Sequence, residues 1–396
     1  MKRLSRCVLV ALGLLLLFAA GCQIAPRDPS RPGRTKLSAP LVVLPMEQLG
    51  NYVVVSAKWD RHGPYHFLVD TGSTVIHVSP ELAERYRVKN APPTGIPPVQ
   101  VRSASGDIVT LPSAVIDEIR LGDARFEDVP VVVYDCAALS AHFGIKIDGL
   151  LGFPLFRDTR LTLDYPQHRL ILAPGKSNAL PPGTPVAYTG ARGAPVIPVQ
   201  LGGQSVPVLL DSGSDAALNF NPAGLALTYA APPRPAVLVG TLSGDHLQES
   251  ARVAEPLEVA GYTVPAPIIY LNESLNALGG EVLRNFSVTF DQTRKTVTFH
   301  RESRAPITVP AKRSTGLSFK KTPAYWRVAG VVPDSPATWA GVQDGDLVSR
   351  INGEPVAQWG FERYAHLIAT AEAVTYTFLR GNEEAPRTLS VFLLVP

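Results

Sequence analysis

The sequence predicts a mainly β protein: two pseudo-symmetric β-lobes followed by a smaller α+β module, a partly open β-barrel. Three observations carry this. The 396 residues include 37 prolines and 32 glycines spread among short Val/Leu/Ile runs, which suits strands broken by turns rather than long helices. One short signal occurs twice, as Phe67-Leu68-Val69-Asp70-Thr71-Gly72-Ser73 and as Val208-Leu209-Leu210-Asp211-Ser212-Gly213-Ser214. After a Pro-containing segment from Pro306 to Arg313 the pattern changes, and a new set of strand, short helix and Asn-Gly turn begins.

The chain opens with a targeting segment, residues 1–22. Lys2, Arg3 and Arg6 precede an uncharged apolar run from Val8 to Ala20, too short to cross a bilayer as a helix and ending in small residues. Ala19-Ala20-Gly21-Cys22 is similar to the lipobox of bacterial lipoproteins, with Ala19 in place of the usual Leu. That likeness implies a lipidated Cys22 at the mature N-terminus and a membrane anchor. It places the protein in a bacterial cell envelope, facing the periplasm, and Gln23 after the Cys points to the outer membrane. Residues 23–40 are rich in Pro, Arg, Ser and Gly without apolar period, and read as a flexible tether. Beyond Cys7 only Cys22 and Cys136 remain; with Cys22 lipidated Cys136 has no intrachain partner, so no disulfide framework is expected and Cys136 reads as a small buried residue. A net charge of +3, with 18% charged residues and no basic block beyond leader and tether, argues against a nucleic-acid partner.

The first lobe, residues 41–178, begins with a hairpin: a strand from Tyr52 to Lys58, a turn at Asp60 to Pro64, and a strand delivering Asp70. The second lobe, residues 179–305, repeats this with Ala194 to Leu201, a turn at Gly202 to Ser205, and a strand delivering Asp211. Later, Gly149 to Asp164 aligns without a gap over sixteen positions with Asn276 to Asp291, matching Gly152 with Gly279 and Arg157 with Arg284. Between these landmarks each half has a further hairpin. Their Gly-Asp tips, with Ser105 and Gly106 in one and Ser243 and Gly244 in the other, suit mobile flaps over a shared site.

Asp-[Thr/Ser]-Gly-Ser followed by an apolar-apolar-Gly element resembles the retropepsin-like and pepsin-like aspartic proteases. The Asp148-Gly149-Leu150-Leu151-Gly152 run with its trailing Leu163-Asp164-Tyr165 is closest to the bacterial retropepsin-like group. The resemblance covers roughly Leu41 to His300 and implies two lobes meeting with their aspartates across a pseudo-two-fold axis. Retroviral members do this as homodimers; this chain holds both lobes. Two nearby carboxylates cannot both ionise cheaply, so Asp70 and Asp211 would share one proton. The ionised member would activate a water against a peptide carbonyl, and the protonated member would donate to the carbonyl oxygen. Gly72 and Gly213 allow the tight turn. The resemblance further implies that the Thr71 and Ser212 hydroxyls bond across the lobe boundary. Ser73 and Ser214 are expected on the carboxylates' outer oxygens, with Leu151-Gly152 and Leu278-Gly279 packed beneath the turns. Asp215 after Ser214 is unusual for the family. No cofactor or metal is expected, because the eight histidines are scattered and His62 and His66 lack Cys or His neighbours to complete a site. Ser212-Gly213-Ser214 has no elbow motif, and no Gly-rich phosphate loop occurs.

In the last module, residues 306–396, Gly316-Leu317-Ser318-Phe319 resembles the Gly-Leu-Gly-Phe carboxylate-binding loop of PDZ domains, with Ser318 in place of the second Gly. Val328 to Ala337 and Ala340 to Gly353 are very like the PDZ core. Tyr364, Leu367, Ile368 and Ala371 fall on one face of a helix, to line a groove or pack on the sheet. The resemblance implies a C-terminal peptide ligand added as a strand. The expected activity is thus a membrane-anchored aspartic endopeptidase acting on envelope proteins or peptides. The alternative is a non-catalytic envelope adaptor that binds peptides on the same scaffold.

Overall fold

The computed structural model describes residues 32–58, 62–88, 97–190, 193–241, 244–381 and 383–396. The leader, Cys22, the tether to residue 31 and Ser243 lie outside them. Strands make up 49% of the structure and helices 12%, so the fold is mainly β.

The duplication is visible in the strand order. In the first eight-stranded sheet, Ala124–Val133, His77–Val78, Gly149–Gly152, Tyr65–Asp70 and Tyr52–Ala57 lie side by side. In the second, nine-stranded sheet the order is Ile268–Leu271, Leu218–Phe220, Ala277–Leu278, Gln204–Leu210 and Val196–Leu201. Each aspartate-bearing strand is therefore central, antiparallel to its hairpin mate and parallel to the apolar-Gly strand. Phe67, Leu68 and Val69, and Val208, Leu209 and Leu210, are all buried, as central strands covered on both faces require.

A third, six-stranded sheet joins the lobes. Val42–Pro45, Arg169–Pro174 and Thr159–Asp164 come from the first lobe, and Ser287–Asp291, Thr296–His300 and Thr184–Ala187 from the second. Thr159–Asp164 and Ser287–Asp291 pair antiparallel at its centre, with Thr162 opposite Thr289 and their hydroxyls 2.9 Å apart. These threonines occupy equivalent positions of the two copies, so the pseudo-two-fold axis passes between them. Arg160 lies opposite Asp291 and Asp164 opposite Ser287, related by the same axis.

Two expectations are corrected. Residues 34–37, within the expected tether, form a strand on Ala124–Glu127, where Glu127 takes Lys36 at 2.6 Å and also pairs with Arg34. An edge strand held by charge has no apolar alternation to announce it. The segment after Pro306 is also more than a connector. Ile307 and Val309 are buried in the lobes' core, and the Ile307 N–H donates to Thr263 O at 2.9 Å.

The last module has a five-stranded sheet in the order Leu317–Lys321, Trp326–Val331, Leu347–Ile351, Ala373–Arg380, Glu383–Ser390, with a small strand, Glu354–Pro355, beside the third. Its own core gathers Trp326, Tyr376, Phe319 and the inner face of the helix Phe361–Thr370, so Tyr364, Leu367, Ile368 and Ala371 pack on the sheet. Asn352 and Gly353, with φ of 48° and 81°, make the tight Asn-Gly turn. The final strand, Phe392–Val395, returns to pair with Lys312–Ser314, and Leu394 and Val395 enter the lobes' core.

Candidate active site

Asp70 ends its central strand and Asp211 directly follows the end of its own, and they meet at the lobe boundary, where their carboxyls hydrogen-bond to each other. Four bonds hold the junction. The Thr71 N–H donates to Ser212 Oγ at 3.0 Å, and the Ser212 N–H to Thr71 Oγ1 at 3.0 Å. Thr71 Oγ1 donates to Leu210 O and Ser212 Oγ to Val69 O, each at 2.7 Å. Both side chains are buried, so each hydroxyl satisfies the other lobe's backbone beside the other lobe's aspartate.

The glycines are fixed by what they face. A Cβ on Gly72 would lie 2.6 Å from Asp211 Cγ, and one on Gly213 would lie 2.4 Å from Asp70 Cγ. Only glycine lets each turn come against the opposite carboxyl. Gly152 and Gly279 lie beneath the turns as expected, where a Cβ would meet Val75 O at 2.1 Å and Ala216 O at 2.4 Å.

The two carboxyls differ. Asp70 Oδ1 accepts from the N–H groups of Gly72 and Ser73, each at 2.9 Å, whereas Asp211 Oδ1 accepts one, from Gly213 at 2.9 Å. Burial raises both above the ordinary aspartate range. For Asp70 the bonds from Asp211, Ser73 and Gly72 oppose that rise, while for Asp211 the Asp70 charge adds to it. The extra N–H donor makes Asp70 the better placed of the two to carry the charge when the pair shares one proton.

The Ser73 and Ser214 hydroxyls are not on the carboxylates. Ser73 Oγ donates to Val75 O at 2.8 Å, and Ser214 Oγ accepts from Asn219 Nδ2 at 2.8 Å and from the Ala216 N–H at 3.3 Å. A short hydroxyl beside a turn finds its own backbone first, which corrects the expected carboxylate support. Of the two serines only Ser73 reaches an aspartate carboxyl, through its backbone N–H.

Both carboxyls face a cleft of about 1020 Å³. Its first-lobe wall includes Leu68, Leu150 and the helix Ala137–Phe143, and His77 also lines it, buried and held neutral at about pKa 4 by burial. The flap strand Val99–Arg102 and the following Ser103 and Ala104 line it, and the strand Ile108–Leu111 pairs behind. Ser105 and Gly106 sit at the tip, with Ser105 Oγ donating to Asp107 Oδ2 at 2.7 Å and Gly106 at φ 94°. The tip reaches the second lobe, where Asn272 Nδ2 donates to Ala104 O at 3.3 Å.

In the second hairpin, Tyr229–Thr241 and Gly244–Val253, Gly244 opens the return strand, and Ser243 at the tip lies outside the described residues. The base of this hairpin is tied to the C-terminal strand, with Arg234 over the Phe392 ring at 5.4 Å and Arg252 bonded to Pro396 O.

Several cleft residues carry no motif. Tyr52 stacks edge-on against Phe143 at 4.8 Å and donates its hydroxyl to Asp215, and its phenol is pushed well up by burial, then by Asp215 and Asp211. The unusual Asp215 is thus a contact between lobes; its carbonyl also accepts from Asn51 Nδ2 at 2.7 Å. The only sequence hint was that Asp215 broke the family pattern. Cys136 is buried, its thiol pushed up to about 12 by burial, and offers no nucleophile.

At the PDZ-like loop Gly316 has φ 92°, and a Cβ there would lie 2.1 Å from Ser335 Oγ. Leu317 and Phe319 are buried, and Ser318 sits opposite Gly330 at a bulge.

Two β-lobes with paired aspartates at their junction define an acid-protease architecture. Residues 55–155 match the aspartyl protease family and residues 327–380 the PDZ domain family, so the chain contains an aspartyl protease domain and a C-terminal PDZ domain. Among solved structures, the HtrA3 PDZ domain bound to a phage-derived ligand (FGRWV) is 22% identical over 21% of this chain and 88% of that chain, with a TM-score of 0.19. No curated protein matches the chain.

Proposed function

We propose that the chain is an aspartic endopeptidase that hydrolyses peptide bonds with a water held between Asp70 and Asp211. The observation that carries this is the dyad itself: two carboxyls in contact, each against the opposite lobe's glycine, at the floor of an open cleft. Asp70, ionised, takes a proton from the water as its oxygen adds to the scissile carbonyl carbon. Asp211 gives its proton to the carbonyl oxygen. Collapse of the tetrahedral intermediate returns a proton to the leaving nitrogen and yields one carboxyl and one amine. The flap backbone over the cleft supplies polar groups to the extended substrate. The apolar wall of Leu68, Leu139, Phe143 and Leu150 supports a preference for an apolar side chain beside the cut.

In this reading the leader and Cys22 anchor the enzyme by lipid in a bacterial envelope, facing the periplasm, and its substrates are envelope proteins or peptides. The PDZ domain binds a C-terminal peptide through Gly316, Leu317, Ser318 and Phe319.

The test is peptide cleavage by the full chain carrying Asp70→Asn or Asp211→Asn. Each substitution should lower kcat/KM by at least about a thousandfold while circular dichroism and thermal midpoint show a retained fold. The wild-type rate should be bell-shaped in pH. It is lost at low pH as Asp70 gains a proton and at high pH as Asp211 gives one up, and both limbs lie above the ordinary aspartate value of 3.8. Undiminished cleavage by either variant would sink the dyad.

A further inference from the structure

The first-lobe helix Ala137–Phe143 touches two sites. Leu139, His142 and Phe143 line the catalytic cleft, and Gly144, which ends the helix, abuts the PDZ domain. A Cβ on Gly144 would lie 3.0 Å from Lys321 Cδ and 3.3 Å from Phe361 Cδ2. Lys321 ends the strand Leu317–Lys321 and Phe361 begins the helix Phe361–Thr370, so they are the two lips of one end of the groove between those elements. The opposite end lies at Gly316. There Arg313, just before the loop, donates from Nη2 to Ala371 O at 2.7 Å, past the far end of the same helix. The groove thus has a closed loop end and a mouth, and the mouth opens against the protease lobe. Lys320, one residue from that mouth, lines the same cleft as Asp70 and Asp211.

We propose that this groove holds the free C-terminus of a substrate protein and feeds the residues upstream of it along the Ala137–Phe143 helix into the catalytic cleft, making the enzyme a C-terminal trimming protease. The proposal rests on the endopeptidase reading above. Leu317–Lys321 is the outer strand of its sheet, with no strand on its other edge among the described residues, so an extended chain can add there. A terminal carboxylate at the Gly316 end leaves the rest of the ligand one direction along the strand, toward Lys321 and the cleft. At the closed end Arg313 is the cation beside the loop, a charge that favours an anionic chain end there, while Lys312 is paired with Glu281 at 2.8 Å and Lys320 and Lys321 stand at the mouth. The strand is five residues long. At about 3.3 Å per residue, pairing along it occupies about five residues of the ligand. The scissile bond therefore lies at least about six residues from the substrate's C-terminus. Hydrolysis adds the water's OH to the acyl carbon and its hydrogen to the leaving amine, releasing a short tail and a shortened protein.

The path is testable without catalysis. In the full chain carrying Asp70→Asn, twelve-residue peptides ending in Val would carry a benzophenone at successive positions from the end. With the group about six to eight residues from a free carboxylate, crosslinks should fall on the first-lobe cleft, residues 138–143 or 68–75, and amidation of the C-terminus should cut their yield at least tenfold. Equal yields for acid and amide would overturn the proposal. So would crosslinks confined to the PDZ surface, or no capture at all, as expected if the Gly144 contact plugs the groove. A second arm uses wild-type enzyme and tails lengthened at the C-terminus. The cut should move with the chain end; a cut fixed to one sequence overturns the proposal. If wild type cleaves no peptide, the endopeptidase reading fails on its own, while the crosslink map still decides the path.

Discussion

The two lobes are alike where they meet and unlike where they face the substrate. At the junction the symmetry is close: Thr71 and Ser212 exchange matching bonds, Gly72 and Gly213 each press the other lobe's carboxyl, and Thr162 meets Thr289 on the axis. Above the junction the contacts made by the described residues differ. The first lobe sends a flap across the cleft, while the second lobe's hairpin is braced by its base against the C-terminal strand. The two aspartates receive different numbers of backbone N–H groups. Duplication built a symmetric support, and chemistry that needs one acid and one base requires the environments above it to differ.

The strongest way to break this comparison is at the glycines. Gly72→Ala and Gly213→Ala should each lower kcat/KM by at least about a hundredfold, because the added carbon would sit 2.6 or 2.4 Å from a carboxyl carbon and force the dyad apart. Steady-state kinetics on both variants checks this. The crowding is mutual, so the two losses should be similar. A silent Gly213→Ala would mean that the dyad tolerates a separation which this geometry forbids.

A smaller effect should come from the hydroxyls. Thr71→Val leaves the Ser212 N–H and Leu210 O without partners in a buried site, and Ser212→Ala does the same to the Thr71 N–H and Val69 O. Each should cost about 2–6 kcal/mol, from two orphaned groups at roughly 1–3 kcal/mol apiece. Denaturant unfolding followed on the protease transition measures it. Agreement of the two costs within about 1 kcal/mol would show that the reciprocal pattern is reciprocal in energy as well. A cost confined to one side would place the asymmetry in the junction too.

What could be read in the sequence follows the same division. Asp70, Asp211, their glycines and hydroxyls stand at fixed short spacing after an apolar run, and repetition separates that pattern from ordinary turns. The PDZ sheet was legible for a similar reason, since its Gly and Asn-Gly turns are local devices. The roles of Ser73 and Ser214 were misread because a hydroxyl's partner depends on turn geometry that spacing does not encode. The Arg34–Leu37 strand was hidden because it is held by Glu127, some ninety residues on in sequence. The cleft wall at Ala137–Phe143 and its contact with Lys321 depend on how distant parts dock, and no local pattern announces that.

Tyr52 and Asp215 offer the finest probe, because they join the lobes outside the symmetric support. The counterpart of Asp215 in the first lobe is Thr74, which cannot accept as a carboxylate does, so this bond exists on one side only. Tyr52→Phe keeps the ring against Phe143 and removes the hydroxyl alone. Asp215 is exposed and water can replace the lost donor, so the stability change should stay below about 1 kcal/mol. The hydroxyl ties the cleft wall to the turn that carries Asp211, and losing it should lower kcat/KM by a few-fold with both pH limbs in place. Those limbs decide the matter. If the alkaline limb moves with the rate, Tyr52 acts on the proton of Asp211; if only the rate falls, it acts by holding the two lobes at the right separation.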